Sequence, residues 1–357
     1  MNLPTASYGE LDPERLKANS SLSGRKKMEL IERIRKLKNE RNAIIMAHNC
    51  QIPEVQDIAD CVGDAIGLSI EASKINADII VFCGVYSMAE MVKILSPQKR
   101  VLIPDKDACC PMANMINTDQ LRTLKAKHPQ AKVLCHVNVT ARVKAESDLC
   151  CTSTNAVKMV TEVLKNEEEI IFVPDKYLAD YVSTQTGRNL IAWKGYCPTH
   201  ARILPEDVIV QKQLHPRAEV IVHPECTSEV IKLANKVSAT EEMCSYVRKT
   251  KAKEIIVGAE EGIIHRLKKE NPEKLFYSIS RLATCVNMKL NNLEKILWSL
   301  EDMDYEVKLP QKTISRAKQS IQRMLDCCKD SGEFQSSHWP CKYSTCSGKV
   351  VSPGLSS

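Results

Sequence analysis

The chain contains an internal repeat of about 87 residues that occurs three times. His48, His136 and His223 each follow a short aliphatic stretch, and they lie 88 and 87 residues apart. A fixed period of this kind is typical of folds in which one structural unit is copied and the copies pack together. A chain of 357 residues has room for such an arrangement. The repeat therefore predicts three related units.

Two further positions recur in the same register. A residue at a predicted helix start follows each histidine after 17 residues; these residues are Ala65, Ser153 and Thr240. A cysteine follows each histidine after 61 or 62 residues; these cysteines are Cys110, Cys197 and Cys285. With 16 cysteines in the chain, a single coincidence would mean little. Agreement of strand, helix start and cysteine over three copies supports a genuine repeat.

Strand and helix patterns alternate within each unit. In the first unit, near-continuous aliphatic strands are predicted at IIMAHN, ADIIVFCGV and RVLIPD, and amphipathic helices at EVQDIADCV and MAEMVKIL. Strands of this type are typical of parallel sheets covered on both faces. We predict an α/β fold of three similar αβα units with pseudo-threefold symmetry. Because ligands bind beyond the carboxyl ends of such strands, the repeated histidines and cysteines are expected to face one central site.

The repeat and its flanks divide the chain into six segments. We predict a flexible segment at 1–23, a first αβα unit with a leading helix at 24–127, a second unit at 128–214, a third unit at 215–312, a closing helix at 313–328 and a polar, disordered tail at 329–357. The tail contains His338, Cys341 and Cys346. These side chains offer a metal site, but the polar, serine-rich composition around them favours disorder.

Charge and hydropathy exclude several classes of protein. The net charge of +6 is spread along helical faces without a basic block, which argues against a nucleic-acid partner. No run of 18 apolar residues occurs, and the first residues lack the apolar core of a secretory signal, so we expect a cytoplasmic protein without membrane association. In that compartment, abundant cysteines without a C-x-x-C motif indicate metal or redox chemistry rather than a disulfide framework.

The three cysteines in register suit a cubane iron–sulfur cluster. Cluster irons are held by thiolates, and three ligands would leave one iron open to polarise a substrate oxygen and assist loss of water. A zinc ion held by three thiolates, with its fourth position open, is the alternative. Cysteines also serve as small core residues, but their repeated register favours ligands.

The histidines and hydroxyl residues indicate chemistry on an anionic substrate. His223 and Glu225 stand two residues apart on an extended segment, so an imidazole and a carboxylate can point the same way and transfer protons at neutral pH. Ser153 and Thr240 offer hydroxyls at helix starts, where they would bind a phosphate or carboxylate or simply cap the helix. The pattern favours a cluster enzyme that dehydrates a small anionic substrate.

Several longer segments carry a resemblance to a known family. They are AHNCQIPEVQDIAD, MAEMVKIL, CCPMANM, TSTNAV, PDKYLADYV, IVHPEC and TCVNMKLNNLEKIL. Between about Gly24 and Leu325, these segments resemble the quinolinate synthase family. The resemblance implies a [4Fe–4S] cluster in a central site between three αβα domains, with Cys110, Cys197 and Cys285 as ligands. It also implies condensation of iminoaspartate with dihydroxyacetone phosphate to quinolinate, with loss of phosphate and water, in NAD biosynthesis.

The resemblance further implies roles for individual residues. Those expected to bind substrate are His48, Asn138, Ser153, Thr240 and His200. Those expected to take part in catalysis are His223, Glu225, Cys50 and His136. The iminoaspartate would be supplied by an L-aspartate oxidase or an aspartate dehydrogenase.

The chain departs from the family pattern at the pocket. Cys50 and His136 stand where the family usually has tyrosines, and Ala65 replaces a serine. Glu241 and Glu242 replace small residues beside the presumed anion site, where added acids would disfavour a phosphate. Two alternatives therefore remain: a related cluster enzyme that dehydrates or cleaves a different small acid, and a non-catalytic iron–sulfur sensor. Retention of His223, Glu225 and Asn138 argues against the sensor.

Overall fold

Three parallel sheets of four strands each follow one another along the chain. The computed structural model describes residues 24–328. The first sheet contains β1 (Ala43–His48), β2 (Cys61–Gly63), β3 (Ile79–Cys83) and β4 (Arg100–Leu102). The second contains β5 (Lys132–His136), β6 (Leu149–Cys151), β7 (Ile170–Val173) and β8 (Ile191–Ala192). The third contains β9 (Glu219–Val222), β10 (Lys236–Val237), β11 (Glu254–Gly258) and β12 (Leu275–Ser278).

All three sheets share one topology. The second strand of each lies at one edge, followed by the first, third and fourth, and every pairing within the three sheets is parallel. The predicted α/β fold of three similar units is therefore confirmed. Because the first strands occupy the same place in each sheet, their carboxyl ends present His48, His136 and His223 in equivalent positions.

Helices connect the strands and cover the sheets. In the first unit they are α1 (Gly24–Glu40), α2 (Pro53–Ile58), α3 (Ala65–Lys74), α4 (Tyr86–Leu95) and α5 (Thr118–Lys127). In the second they are α6 (Ala141–Lys144), α7 (Ala156–Lys158), α8 (Lys176–Thr186), α9 (Pro198–Ala201) and α10 (Pro205–Leu214), with a π-helical turn at Met159–Val163 after α7. In the third they are α11 (Ser228–Lys232), α12 (Thr240–Lys249) and α13 (Ile263–Glu270), followed by α14 (Leu293–Asp302) and α15 (Gln311–Cys327).

The central strands are aliphatic because both faces of each sheet are covered. Every residue of β1, β3 and β7 is buried. Alternate residues of β1 enter two different apolar clusters: Ile44 and Met46 pack on one side of the first sheet, and Ile45 and Ala47 pack on the other. A strand buried on both sides needs a continuous apolar sequence rather than an alternating one.

The short edge strands β2, β6 and β10 were not predicted. EVQDIADCV was predicted as one helix, and this prediction is wrong at its end, because the helix stops at Ile58 and Cys61–Gly63 pairs with β1. Each of these edge strands has only two or three residues. Segments so short show no periodicity, and pairing with the adjacent first strand is what makes them strands.

The two flanking helices agree with the predicted amphipathic segments. Helix α1 packs against α14, and α15 packs against α4, α6 and β6, so the last helix contacts elements of the first two units. The division into domains at the predicted boundaries stays a prediction. The predicted flexible segment 1–23 and the tail 329–357, with His338, Cys341 and Cys346, lie outside the described residues. Between residues 24 and 328, no helix has both the length and the apolar character needed to cross a membrane.

Candidate functional site

The three repeat histidines, His48, His136 and His223, adopt the same local geometry. In each case Nδ1 accepts a hydrogen bond from the backbone N–H two residues later, at 3.1, 3.2 and 3.3 Å respectively. This bond places the hydrogen of the neutral ring on Nε2. All three rings are buried, and each therefore presents an N–H donor beyond the end of its strand.

Burial keeps these rings neutral. It lowers the pKa of His48 to about 4, with further lowering by Lys289 and Arg266. Burial, together with the neighbouring His200, lowers the pKa of His223 to about 3. The pKa of His136 is also lowered by burial. At neutral pH the strand ends thus offer hydrogen-bond donors without positive charge.

The three repeat cysteines, Cys110, Cys197 and Cys285, also share a setting. Each lies after the fourth strand of its sheet and just before a single helical turn; these turns are Met112–Met115, Pro198–Ala201 and Met288–Leu290. In every unit a backbone N–H of that turn lowers the pKa of the thiol. Such N–H groups stabilise a thiolate, which is the form that binds a metal.

The fold brings the three repeat cysteines together. Burial, Glu225, Cys110 and Cys285 all raise the pKa of the Cys197 thiol, and burial raises the pKa of Cys110 to about 12 with a contribution from Cys285. Charges on these thiols thus act on one another within the folded chain although the residues lie far apart in sequence. Without a metal the thiols hold their protons, and a bound cation would displace them.

Cys197 belongs to a compact group with metal-binding donors. Its sulfur and one ligand atom each of His200 and Glu225 lie within 4.8 Å of one another. Thiolate, imidazole and carboxylate are donors that hold iron or zinc. The described residues therefore include a group suited to a metal, and this group contains one of the three repeat cysteines.

Glu225 organises two histidines. His200 Nδ1 lies 3.1 Å from the Glu225 carboxylate, and the rings of His200 and His223 stack with centroids 4.2 Å apart. Although burial opposes ionisation, the hydrogen bond from His200 holds the pKa of Glu225 below its usual range. Ionised Glu225 accepts the Nδ1 hydrogen of His200, so Nε2 of His200 is left as an acceptor. This buried Nε2 has no hydrogen-bond partner among the residues from 24 to 328.

Cys50 follows β1 of the first unit but contacts residues of the third unit. Its carbonyl accepts a hydrogen bond from Lys289 Nζ at 2.6 Å, and Lys289 forms a buried ion pair with Glu260 at 2.8 Å. Burial and the carboxylate of Glu260 raise the pKa of the Cys50 thiol well above its usual range. Cys50 is therefore a protonated thiol at neutral pH rather than a ready nucleophile.

Glu241 and Glu242 do not present free charges to the anion site. Glu241 forms a two-pronged ion pair with the buried Arg266, at 2.7 and 2.9 Å. Arg266 also donates to Asn49 Oδ1 at 2.7 Å, and Asn49 in turn donates to Thr240 Oγ1 at 3.2 Å. Glu242 accepts from the backbone N–H of Ala239 at the start of α12. The Glu241 charge is thus balanced by a guanidinium that also orients the chain of donors leading to Thr240.

The remaining predicted site residues lie at the same end of the sheets. Ser153 follows β6 and lies 3.0 Å from His136 Nε2, while Thr240 opens α12 and Asn138 is half-buried two residues after His136. Ala65 opens α3 at the equivalent place in the first unit and supplies no hydroxyl.

Sequence reasoning missed Lys289, Glu260 and Arg266. Glu260 and Arg266 have charged neighbours in the sequence and Lys289 is a single lysine in a short turn, so no local signal distinguishes them from solvent-facing charges.

Comparison with known proteins shows the family of this chain. Residues 32–326 match the family model described as quinolinate synthetase A protein. The chain is 52% identical over 297 residues to a quinolinate synthase of Methanosarcina barkeri, which covers 83% of this chain and 97% of the relative. It is 52% identical over 293 residues to that of Dehalococcoides mccartyi strain CBDB1, covering 82% and 96% of the two chains. A quinolinate synthase of Thermodesulfovibrio yellowstonii is 49% identical over 296 residues, covering 83% and 97%. On this similarity, the chain belongs to the quinolinate synthetase A family.

Proposed function

We propose that the chain is a quinolinate synthase, which condenses iminoaspartate with dihydroxyacetone phosphate and releases phosphate and water. The observation that carries this proposal is the 52% identity to a curated quinolinate synthase along 97% of that protein. The substrates are small molecules and the product enters NAD biosynthesis. In this assignment, an L-aspartate oxidase or an aspartate dehydrogenase supplies the iminoaspartate, and the reaction takes place in the cytoplasm.

The donor set fits a [4Fe–4S] cluster held by Cys110, Cys197 and Cys285. Cys285 raises the pKa of Cys110, both raise the pKa of Cys197, a backbone N–H lowers the pKa of each thiol, and Cys197 lies in a group with His200 and Glu225. When bound, such a cluster supplies an open iron that acts as a Lewis acid toward a substrate oxygen. The repeat supplies three cysteines for the four irons of such a cluster, so one iron would have no cysteine ligand.

His200 and Glu225 are suited to remove a proton. Glu225 fixes the tautomer in which Nε2 of His200 is unprotonated, buried and able to accept. A histidine oriented by a carboxylate is the usual arrangement of a general base. In this proposal His200 takes a proton from a substrate carbon, whereas sequence reasoning gave it a binding role only. His223, which stacks on His200, keeps its hydrogen on Nε2 and donates to a substrate oxygen.

Thr240, Ser153 and the strand-end histidines are suited to bind anionic groups. Thr240 Oγ1 accepts from Asn49, so its hydroxyl hydrogen remains for a substrate oxygen. His48 adds a neutral N–H donor from a buried ring, and His136 donates its Nε2 hydrogen to Ser153, which leaves the serine hydroxyl hydrogen for a substrate oxygen. Hydrogen bonds to charged oxygens are stronger than neutral ones, by roughly twofold. In this proposal these groups bind the carboxylates and the phosphate of the substrates. The half-buried Asn138 also binds substrate.

An anaerobic turnover assay tests the proposal. The protein is purified without oxygen, its iron and sulfide contents are measured, and freshly generated iminoaspartate is supplied with dihydroxyacetone phosphate. We expect quinolinate by mass spectrometry at many turnovers per chain. Dihydroxyacetone without its phosphate serves as the control substrate and should give no product. An intact cluster without quinolinate would contradict the proposal and direct the search to other small acids that lose water.

A further inference from the structure

A backbone hydrogen bond ties each cysteine loop to its sheet in the same way. The bonds run from Tyr86 N to Ala108 O, from Lys176 N to Gly195 O and from Glu261 N to Ala283 O, at 2.7, 2.8 and 3.0 Å respectively. Each carbonyl lies two residues before a repeat cysteine. Each N–H belongs to the third residue after the third strand of its sheet. These three bonds show which residues occupy equivalent positions in the three units.

The residues just before these donors are therefore equivalent; they are Val85, Asp175 and Glu260. In the second unit, Asp175 Oδ2 accepts a hydrogen bond from the backbone N–H of Cys197 at 2.9 Å. In the third unit, Glu260 Oε1 accepts from the backbone N–H of Cys285 at 3.0 Å. Val85 offers no acceptor in the first unit. Both carboxylates are almost fully buried, with 0% and 3% exposure.

We infer that Asp175 and Glu260 are positioning residues that set the orientation of Cys197 and Cys285 for the proposed cluster. A carboxylate bond to the N–H of the cysteine itself fixes the peptide plane from which the side chain projects. Outer groups of this kind orient ligands at metal sites, and their loss typically weakens metal binding about 10-fold to 100-fold. This inference rests on the proposed function, because it assumes that the cysteines hold a cluster.

Each carboxylate also performs a second task, which allows the two roles to be separated. Asp175 Oδ1 caps α8 by accepting a hydrogen bond from Leu178 N at 2.8 Å, while Oδ2 accepts from Cys197 N. Glu260 Oε2 accepts from Gly262 N at 2.8 Å, while Oε1 accepts from the N–H of Cys285 and also pairs with Lys289 Nζ at 2.8 Å. Glu260→Gln therefore also removes the charge that pairs with Lys289, whereas Asp175→Asn changes no ion pair within residues 24–328. An amide in place of either carboxylate keeps one acceptor oxygen and turns the other into an NH₂ group. Amide nitrogen cannot accept a hydrogen bond, whereas a carboxyl oxygen accepts whether or not the acid is protonated.

The test compares Asp175→Asn and Glu260→Gln with a matched control. Asparagine is expected to cap α8 with its oxygen and to place its NH₂ against the N–H of Cys197. The control is Asp148→Ala, which removes a similar bond from Asp148 Oδ2 to Val133 N, 2.9 Å long, at the amino end of β5. All proteins are loaded anaerobically, and release of iron to a ferrous chelator is followed together with the electron paramagnetic resonance spectrum of the reduced cluster.

We expect both amide variants to release iron about 10-fold to 100-fold faster than the wild type and to show an altered spectrum. Asp148→Ala should release iron at the wild-type rate even if it melts at a lower temperature. Wild-type release rates and an unchanged spectrum in both amide variants would overturn the inference.

A second measurement does not depend on the cluster. Amide hydrogen exchange of the metal-free protein should be about tenfold faster at Cys197 in Asp175→Asn and at Cys285 in Glu260→Gln, because each N–H loses its acceptor. Unchanged exchange at both cysteines would also overturn the inference. If the wild type binds no cluster, the proposed function fails, and the exchange measurement still decides whether the carboxylates hold the cysteine loops.

Discussion

His136 and Ser153 hydrogen bond to each other across the ends of two neighbouring strands, with Nε2 3.0 Å from Oγ. Since Nδ1 of His136 accepts from the backbone N–H of Asn138, Nε2 carries the hydrogen and donates it to Ser153. The serine hydroxyl then keeps its own hydrogen for a substrate oxygen. His136 thus acts on a substrate through Ser153, because its own N–H is used in orienting the serine hydroxyl.

Ser153→Ala should raise the KM for dihydroxyacetone phosphate about tenfold, because one hydrogen bond to an anionic oxygen is worth roughly 1–3 kcal/mol. Steady-state kinetics at saturating iminoaspartate measures the change. Ser73→Ala, on the exposed side of α3, is the matched control and should leave KM unchanged. An unaltered KM in Ser153→Ala would show that this hydroxyl only partners His136.

Cys50→Tyr should increase the rate of quinolinate formation about 10-fold to 100-fold, because the phenol restores a hydrogen-bond donor that the protonated thiol supplies poorly. The initial rate is measured under anaerobic conditions with equal iron content in each protein. Cys50→Phe is the control, since it adds the same ring without the hydroxyl. Equal rates in the tyrosine and phenylalanine variants would contradict this account.

Cys110→Ser should lower the bound iron severalfold, whereas Cys109→Ser should not, because only Cys110 lies in the repeat register, where backbone N–H groups of the following turn lower the pKa of its thiol. The Cys109 sulfur instead faces the carbonyl of Lys106 at 3.8 Å. Iron and sulfide analysis after anaerobic reconstitution measures the difference. Equal losses in the two variants would show that the adjacent cysteines exchange roles.

Glu241→Ala should lower the free energy of unfolding by about 2–3 kcal/mol, because it removes two charged hydrogen bonds from the buried guanidinium of Arg266. Arg266 keeps Glu270 at 2.6 Å, which limits the loss. Urea unfolding measures it. Glu242→Ala is the neighbouring control, and loss of its helix-capping contact should cost about 1 kcal/mol. If the two variants lose the same stability, the Arg266 pair contributes little.

Acid should destabilise the metal-free protein partly through His48. The unfolded histidine takes up a proton near its ordinary pKa of 6.5, whereas native His48 stays neutral down to about pH 4. Below pH 6.5 the unfolded state therefore binds more protons, and stability falls as the pH decreases toward 4. The full contribution of this histidine is about 3 kcal/mol.

Urea unfolding between pH 7 and pH 4.5 tests this contribution. His48→Gln removes the titrating group and should lose stability less steeply than the wild type as the pH falls. His128→Gln is the control, because that ring is only part-buried and lies far from the strand ends. Parallel pH profiles for the wild type and His48→Gln would contradict the assignment.

Much of the architecture could be predicted from the sequence. The 87-residue period, the aliphatic strands and the register of histidine and cysteine are local patterns repeated along the chain, and burial on both faces of a parallel sheet requires such patterns. They indicated three similar α/β units with one site at the strand ends. The edge strands β2, β6 and β10 escaped prediction because two or three residues carry no periodicity.

The sequence by itself therefore determined the repeated unit and the side chains that each copy presents at its strand ends. Only the tertiary structure decided how these side chains are paired. Lys289 reaches the Cys50 carbonyl across 239 residues of sequence, and Arg266 reaches Asn49 across 217. No local pattern encodes such contacts, because the partner of a buried charge is whichever group the packing of separate units places within hydrogen-bond distance.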